Sequence, residues 1–255
     1  MKHVELYEKL EQRLSASLRF EWDNDGVMCM SCPEKEVKKV LVTLDITEGA
    51  VEKAVAEGFD LILSHHPLIF KKVAHLDVRD SVPRRLLTLA QHGITALSYH
   101  TRLDAAEGGV NDLLAKTLGL SELQELMVDG VPMGRMGNTE KEFSEEEFAL
   151  YVKQCLGAEQ IVMAKGGKPI RRVAVVGGSA EEGIAPAKYM GADAFVTGEA
   201  KYHTLSDAHL GGITVVVAGH YETEAPVCEM LFDFVKQQVP TAEIEIYHAN
   251  TLIRL

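Results

Sequence analysis

Side chains that can hold a metal ion or move a proton recur in this sequence just after short apolar runs. "LILSHH" ends on His65 and His66, and "ALSYH" ends on His100 with Asp104 four residues on. "VTLD" brings Asp45, "AFVTGE" ends on Glu199 with Tyr202 and His203 beyond, and "VVVAGH" ends on His220 with Glu224 four residues on. Imidazole with carboxylate suits borderline divalent ions such as zinc, iron, manganese or cobalt. "HTRLD" and "HYETE" share the form His-x-x-x-acid, and each follows a run that opens Gly-Ile-Thr. A hydrolytic site with one ion needs about three protein ligands. The larger set here leads to the expectation of two ions, roughly 3.5–4 Å apart where they share a bridge.

Each residue also has an ordinary explanation. A single histidine at a strand end is commonly a hydrogen-bonded structural residue. Asp45 and Asp104 stand where a helix cap is wanted, and Glu224 where a helix dipole welcomes a carboxylate. The adjacent histidines are harder to explain that way, because two neutral imidazoles buried without partners are costly. Pro67 bars regular continuation of the strand and holds His66 extended, so the two rings can splay toward different ions.

Alternating elements must position these residues. Strands are expected over 38–47, 60–66 and 94–101, separated by helices in "EGAVEKAVAEG" and "SVPRRLLTLAQHG"; "GGVNDLLAKTLGL" is a further helix. Strands are expected again over 171–179, 193–199 and 213–220, with helices between them and after them, and "EIEIYHANTLIRL" closes the chain as a strand. Such alternation implies βαβ units and parallel sheets, whose ligands bind beyond the carboxyl ends of the strands. The halves resemble each other: "DLILS" from Asp60 matches "DAFVT" from Asp193, and Gly93-Ile-Thr matches Gly212-Ile-Thr. The fold class expected is α/β, with two similar lobes of mainly parallel sheet around a shared metal-containing cleft. The lobes are expected over residues 1–125 and 126–255, with the last strand able to return to the first. The stretch around "MGRMG" is Gly-rich and reads as loop; Ser144 with Glu147 forms a capping box for a helix through Cys155.

Composition narrows the classes. The chain has 255 residues, 46% hydrophobic and 25% charged, with a formal net charge of −12. That balance opposes nucleic acid and anionic membrane as partners and suits cations. The first residues alternate charged and apolar types without the apolar core of a signal peptide, and no apolar run approaches the roughly 18 residues of a membrane span. A cytoplasmic location is expected. Cys29 and Cys32 form a lone C-x-x-C with no second pair to complete a zinc site; Cys155 and Cys228 sit in helical patterns as small core residues.

The motifs "EWDNDG" (21–26), "SHHPLIF" (64–70), "SYHTRLD" (98–104), "MGRMG" (133–137), "VGGS" (176–179), "VTGEAKYH" (196–203) and "AGHYETE" (218–224), in that order, resemble the GTP cyclohydrolase 1 type 2 homologue family, also called Nif-three-like. The resemblance runs through nearly the whole chain. It implies a dinuclear metal site with His65, His66, Asp104, His220 and Glu224 as ligands and Glu224 as the bridge. His100, Glu199 and His203 would line the cavity or orient the ligands. It also implies a toroidal homohexamer. In one departure, Asp25 stands where the family's first motif carries a small apolar residue; Trp22 and Asn24 are expected to pack or bond nearby.

Two functions follow as alternatives. One is a metal-dependent hydrolase acting on a nucleotide-like or other small substrate through metal-bound hydroxide, with His100 moving protons. The other is a non-catalytic metal-binding, metal-delivery or scaffold protein. No P-loop supplies a triphosphate site. "VVGGS" offers a turn or a phosphate cradle, and Arg102, Arg135 and Lys201 are cations near the motifs, where ordinary surface charge is the competing explanation.

Overall fold

The computed structural model describes residues 1–248, 250 and 252. The chain opens with α1 (His3–Arg13), β1 (Gly26–Cys29), β2 (Lys39–Thr43), α2 (Glu48–Glu57), β3 (Leu61–Ser64), α3 (Ser81–Gln91) and β4 (Thr95–Ser98). It continues through α4 (Thr101–Ala105), α5 (Val110–Thr117), β5 (Ser121–Val128), β6 (Val131–Phe143), α6 (Glu145–Leu156), β7 (Val162–Ala164), β8 (Ile170–Val175), α7 (Ile184–Tyr189), β9 (Ala194–Thr197), α8 (Tyr202–Gly211), β10 (Thr214–Val217) and α9 (His220–Glu224). It ends with α10 (Val227–Gln238) and β11 (Glu243–Tyr247). The strand expected over the last thirteen residues covers β11; Ala249, Thr251 and positions 253–255 lie outside the described residues.

Among the described residues these elements form two compact units, one from Met1–Leu103 with residues 227–248 and 250, the other from Asp104–Pro226 with Leu252. The chain therefore passes from the first unit to the second within α4, not near residue 125. The reason lies in α5, whose Leu114, Ala115 and Leu118 bury among Phe148, Val173 and Val196 of the second unit.

The first unit carries a five-stranded sheet ordered β1-β4-β3-β2-β11. The β4-β3-β2-β11 pairings are parallel, and β1 runs antiparallel along the edge. β11 thus joins the first sheet beside β2. β2, β3 and β4 are almost wholly buried, as runs such as "VLVT" and "LILS" require in a parallel sheet covered on both faces. Ile62, Leu41 and Ala96 pack with Ala50 and Ala54 of α2 and Leu89 of α3 in one core cluster.

The second sheet is ordered β5-β6-β8-β9-β10-β7. β8, β9 and β10 are parallel, and antiparallel strands flank them. The Gly-rich stretch expected as loop is instead part of the thirteen-residue strand β6. Its glycines serve close packing: a Cβ on Gly137 would stand 2.5 Å from the Ser121 carbonyl oxygen, and one on Gly134 2.9 Å from that of Val175. Glycine inside a strand marks such approach as readily as a turn.

The two units repeat one device. Asp60 Oδ2 accepts the amide N–H groups of Lys38 (3.0 Å) and Lys39 (2.9 Å) at the start of β2. Asp193 Oδ2 does the same for Arg171 (3.1 Å) and Arg172 (2.9 Å) in β8. Gly93 and Gly212, both at positive φ, end the helices that lead into β4 and β10.

Candidate metal centre

In the first unit, sheet register brings the donors together. Thr43 pairs with Ser64 and Ser64 with Ser98, so β2, β3 and β4 finish level. Asp45, His65, His66 and His100 follow directly, beyond the carboxyl ends where open parallel sheets bind ligands. Hydroxyls at the strand ends fix the outgoing turns: Ser64 Oγ donates to the His66 carbonyl at 2.8 Å, and Thr43 Oγ1 to that of Tyr247 at 2.8 Å.

Each histidine is then held through Nδ1. His65, fully buried, donates to the Tyr99 carbonyl oxygen at 3.0 Å. His66 donates to Asp45 Oδ1 at 2.8 Å, and His100 to Asp23 Oδ1 at 2.8 Å. A carbonyl or a carboxylate oxygen only accepts, so in each ring the hydrogen of this bond sits on Nδ1, and Nε2 is the nitrogen that can serve as a metal ligand. Burial pushes the Asp23 carboxyl up, yet hydrogen bonds from His100 and Thr101 outweigh it and hold the pKa at about 2. Asp23 is thus a dependable acceptor. One ring nitrogen from each of His65, His66 and His100 lies within 4.8 Å of the others. This pattern of Nδ1 tied and Nε2 offered is how proteins orient imidazoles toward a metal, and the donor set fits a borderline divalent ion.

Asp45, expected as a helix cap, therefore serves His66 instead; α2 is capped by Thr47, whose hydroxyl accepts from the Ala50 amide. His100, expected to line the cavity or orient the ligands, stands as near to His65 and His66 as a ligand would. Its indole neighbour Trp22 lies 6.1 Å away between ring centroids, and Asn24 Nδ2 donates to the Ile69 carbonyl. Asp25, the departure in the first motif, receives two bonds of 2.8 Å from Arg102.

In the second unit, β9 and β10 also finish level, with Thr197 paired to Val217. His220 begins α9 and Glu224 ends it, buried; their Nε2 and Oε2 atoms lie 3.0 Å apart, one helical turn bringing positions four apart together. Glu199 Oε1 stands 3.3 Å from His220 Nδ1. His203 lies exposed in the first turn of α8, with no hydrogen bond or ion pair among the described residues. Asp104 is buried in α4.

Two features of this cluster escaped the sequence reading. The Gly177-Gly178 pair is neither a phosphate cradle nor a plain turn. The Gly177 N–H donates to Asn111 Oδ1 at 2.8 Å and the Gly178 N–H to Thr223 Oγ1 at 3.1 Å, so these amides are committed. Gly178 has φ +65°, and a Cβ there would stand 2.1 Å from Glu224 Oε1. Its lack of a side chain gives the Glu224 carboxylate its room. Asn111, fully buried, also donates through Nδ2 to the Asp104 carbonyl at 3.2 Å, tying α4 to the turn that packs on Glu224. The signal available for Asn111 was a lone asparagine in a helical pattern, which most often faces water.

The cations near the motifs are already engaged. Arg102 is buried against Asp25, Glu11 and the Leu14 carbonyl. Arg135 is buried on Asp112 and the carbonyls of Pro132, Gly134 and Ala105. Lys201 pairs with Glu181 at 2.6 Å. The four cysteines are free thiols; burial pushes Cys228 up to about 12, as suits a core residue.

Among the described residues no helix is long and apolar enough to cross a membrane. The Duf34/NIF3 (NGG1p interacting factor 3) family model matches residues 1–252. A Clostridium perfringens protein named GTP cyclohydrolase 1 type 2 homolog is 31% identical over 246 residues, covering 94% of this chain and 93% of the relative. The fold matches that of a Bacillus cereus protein related to NIF3 with a TM-score of 0.91 at 22% identity, over 100% of this chain and 99% of the other. It matches a Staphylococcus aureus hypothetical protein with a TM-score of 0.90 at 25% identity, again over 100% and 99%. The chain belongs to the Duf34/NIF3 family.

Proposed function

We propose that this protein binds two divalent metal ions and acts as a metal-dependent hydrolase on a small, nucleotide-like substrate. The observation that carries the reading is the fixing of His65, His66 and His100 by acceptors at Nδ1, an arrangement that prepares imidazoles as ligands. His65, His66, Asp104, His220 and Glu224 are the residues that would hold the ions. Family membership and the chemistry of the two donor clusters support that set. When bound, such a pair supplies Lewis acidity and lowers the pKa of coordinated water toward about 7.

The chain's own residues would do the rest. Tyr99, Asp45 and Asp23 orient the rings; Gly178 and Asn111 position Glu224 and Asp104. His100, with its Nδ1 proton held by Asp23, exchanges a proton at Nε2. The name of the relatives, GTP cyclohydrolase 1 type 2 homolog, suggests GTP as a first substrate to try. A homo-oligomer, the toroidal hexamer that the family pattern implies, and a cytoplasmic location are proposed on the same footing; the mass of the native protein in solution tests the first.

The test of function is metal content followed by turnover. Two ions per chain, with hydrolysis of nucleotides or phosphoesters that vanishes in His65→Ala, supports the hydrolase. Two ions without turnover on any substrate assigns the site to metal binding or delivery. Fewer than one ion per chain after reconstitution overturns the site.

A further inference from the structure

The first unit places an aromatic surface directly beside His100. Trp22 is 62% exposed and Phe70 55%, unusual for side chains that gain so much from burial. The ring centroids of Trp22 and Phe70 lie 6.1 Å apart with their planes at 63°, and those of Phe70 and His100 6.0 Å apart at 76°, both edge to face. Phe20 stacks on the indole at 5.6 Å and 15° between planes, which covers one face and supports the ring. The bond from Asn24 to Ile69 joins the loop that bears Trp22 to the loop that bears Phe70. These rings therefore stand on braced segments, not on a single unsupported tip.

Next to Phe70 the chemistry changes. A cavity of about 550 Å³ is lined by Phe70, Lys71, Lys72 and Ser81, and by Asp80, whose carboxylate pairs with His75 Nε2 at 2.9 Å, a volume within the range of small-molecule sites. Lys71 and Lys72 are exposed and have no ion pair or hydrogen bond among the described residues. In a chain of net charge −12, two adjacent unpaired cations on the wall of a cavity favour an anion. Aromatic faces that take a ring by stacking, with cations set to one side for phosphate, make the combination that proteins use for nucleotides.

We propose that Trp22 stacks the planar ring of a nucleotide and Phe70 meets that ring edge to face, while Lys71 and Lys72 bind its phosphates. The assignment deepens the function proposed above and rests on that reading for its placement beside the reaction site. It names the residues that choose the substrate class, none of which is a proposed metal ligand.

Trp22 is the sole tryptophan, so indole fluorescence reports on this surface alone. GTP, guanosine and inorganic tripolyphosphate are titrated into the full-length protein, metal-free and zinc-loaded. GTP and guanosine are expected to quench the emission and tripolyphosphate to leave it unchanged. Phe70→Ala is expected to weaken both quenching ligands by roughly 2- to 12-fold, the span of one edge-to-face aromatic contact. Lys71→Ala with Lys72→Ala is expected to weaken GTP roughly tenfold or more and leave guanosine unaltered. Emission indifferent to every nucleoside and nucleotide in both metal states overturns the proposal, as does a blue-shifted indole covered by a second copy of the chain. Metal content measured on the same samples is judged separately, so a missing metal site and a missing ring site give different results.

Discussion

The Tyr99 carbonyl oxygen accepts the Nδ1 hydrogen of His65 at 3.0 Å, inside a fully buried strand end. That bond settles the tautomer of a histidine that could otherwise present either nitrogen. Asp45 does the same for His66 through a carboxylate. Because the partners differ, the two adjacent histidines should fail differently. His65→Ala would remove a proposed ligand from the buried interior, whereas Asp45→Ala leaves every proposed ligand in place and only frees a ring. Loss of such an orienting partner typically costs 10–100-fold in metal affinity. For the two ions proposed, competition titration with a chromophoric chelator should show that loss for one of them in Asp45→Ala, with the other held as in the parent. Equal weakening of both ions would refute the division of labour.

Gly178 supplies a sharper test, because its substitution removes no donor atom. Alanine there must adopt φ +65°, at a cost of about 1 kcal/mol, and its Cβ would collide with Glu224 Oε1. The obstructing atom is the end of a side chain, so the carboxylate should swing away while the fold persists. Gly178→Ala is expected to melt within a few degrees of the parent and to lose metal at the Glu224 position. Circular dichroism paired with metal analysis checks it. Unchanged metal content would show that Glu224 already points elsewhere in solution.

Much of the fold, and the gathering of polar residues just beyond the strand ends, could be read from residue order, for a physical reason. Buried parallel strands demand apolar runs, so every polar residue that ends one stands out, as His65, His100 and His220 do. The repeat was legible too, since Asp60 and Asp193 each grip two amides and nothing else does that as well at those positions. What stayed hidden depends on pairings across the chain. The strand β6 was masked by Gly134 and Gly137, whose meaning lies in Val175 and Ser121 far away in sequence. Arg102 looked like a surface cation because its three partners, Glu11, Leu14 and Asp25, lie near the start of the chain. The change of unit within α4 was hidden because α5 is apolar on a face that either sheet could have used.

Arg102 gives a stability prediction of its own. Its guanidinium meets Asp25 through two bonds of 2.8 Å with both side chains buried, and reaches Glu11 and the Leu14 carbonyl as well. Removing one member of a buried pair strands the other charge and costs about 3–5 kcal/mol. Arg102→Met should therefore lower the denaturant midpoint markedly. Arg102→Met with Asp25→Leu should recover a large part, since replacing a whole buried pair by apolar groups can be near neutral. The exposed Lys71 and Lys72, replaced by alanine, should change stability by less than about 0.5 kcal/mol. A double variant no more stable than Arg102→Met would show that the network does not depend on the pair.

Asp23 makes stability depend on pH in a defined window. Burial would raise its pKa, but bonds from His100 and Thr101 bring it from 3.8 to about 2 in the folded chain. A depressed folded pKa means that the unfolded chain binds the proton more readily. The contribution is complete above about pH 4 and is lost as pH falls through 2, and the shift corresponds to about 2 kcal/mol. In Asp23→Asn the neutral side chain cannot titrate, so that component should vanish from the curve of stability against pH while the remaining acid sensitivity persists. Denaturant titrations of metal-free parent and variant between pH 6 and pH 2 provide the measurement. The two curves should converge as the pH falls; curves that stay parallel through the window would place the acid sensitivity on other carboxylates and leave His100 without a charged anchor.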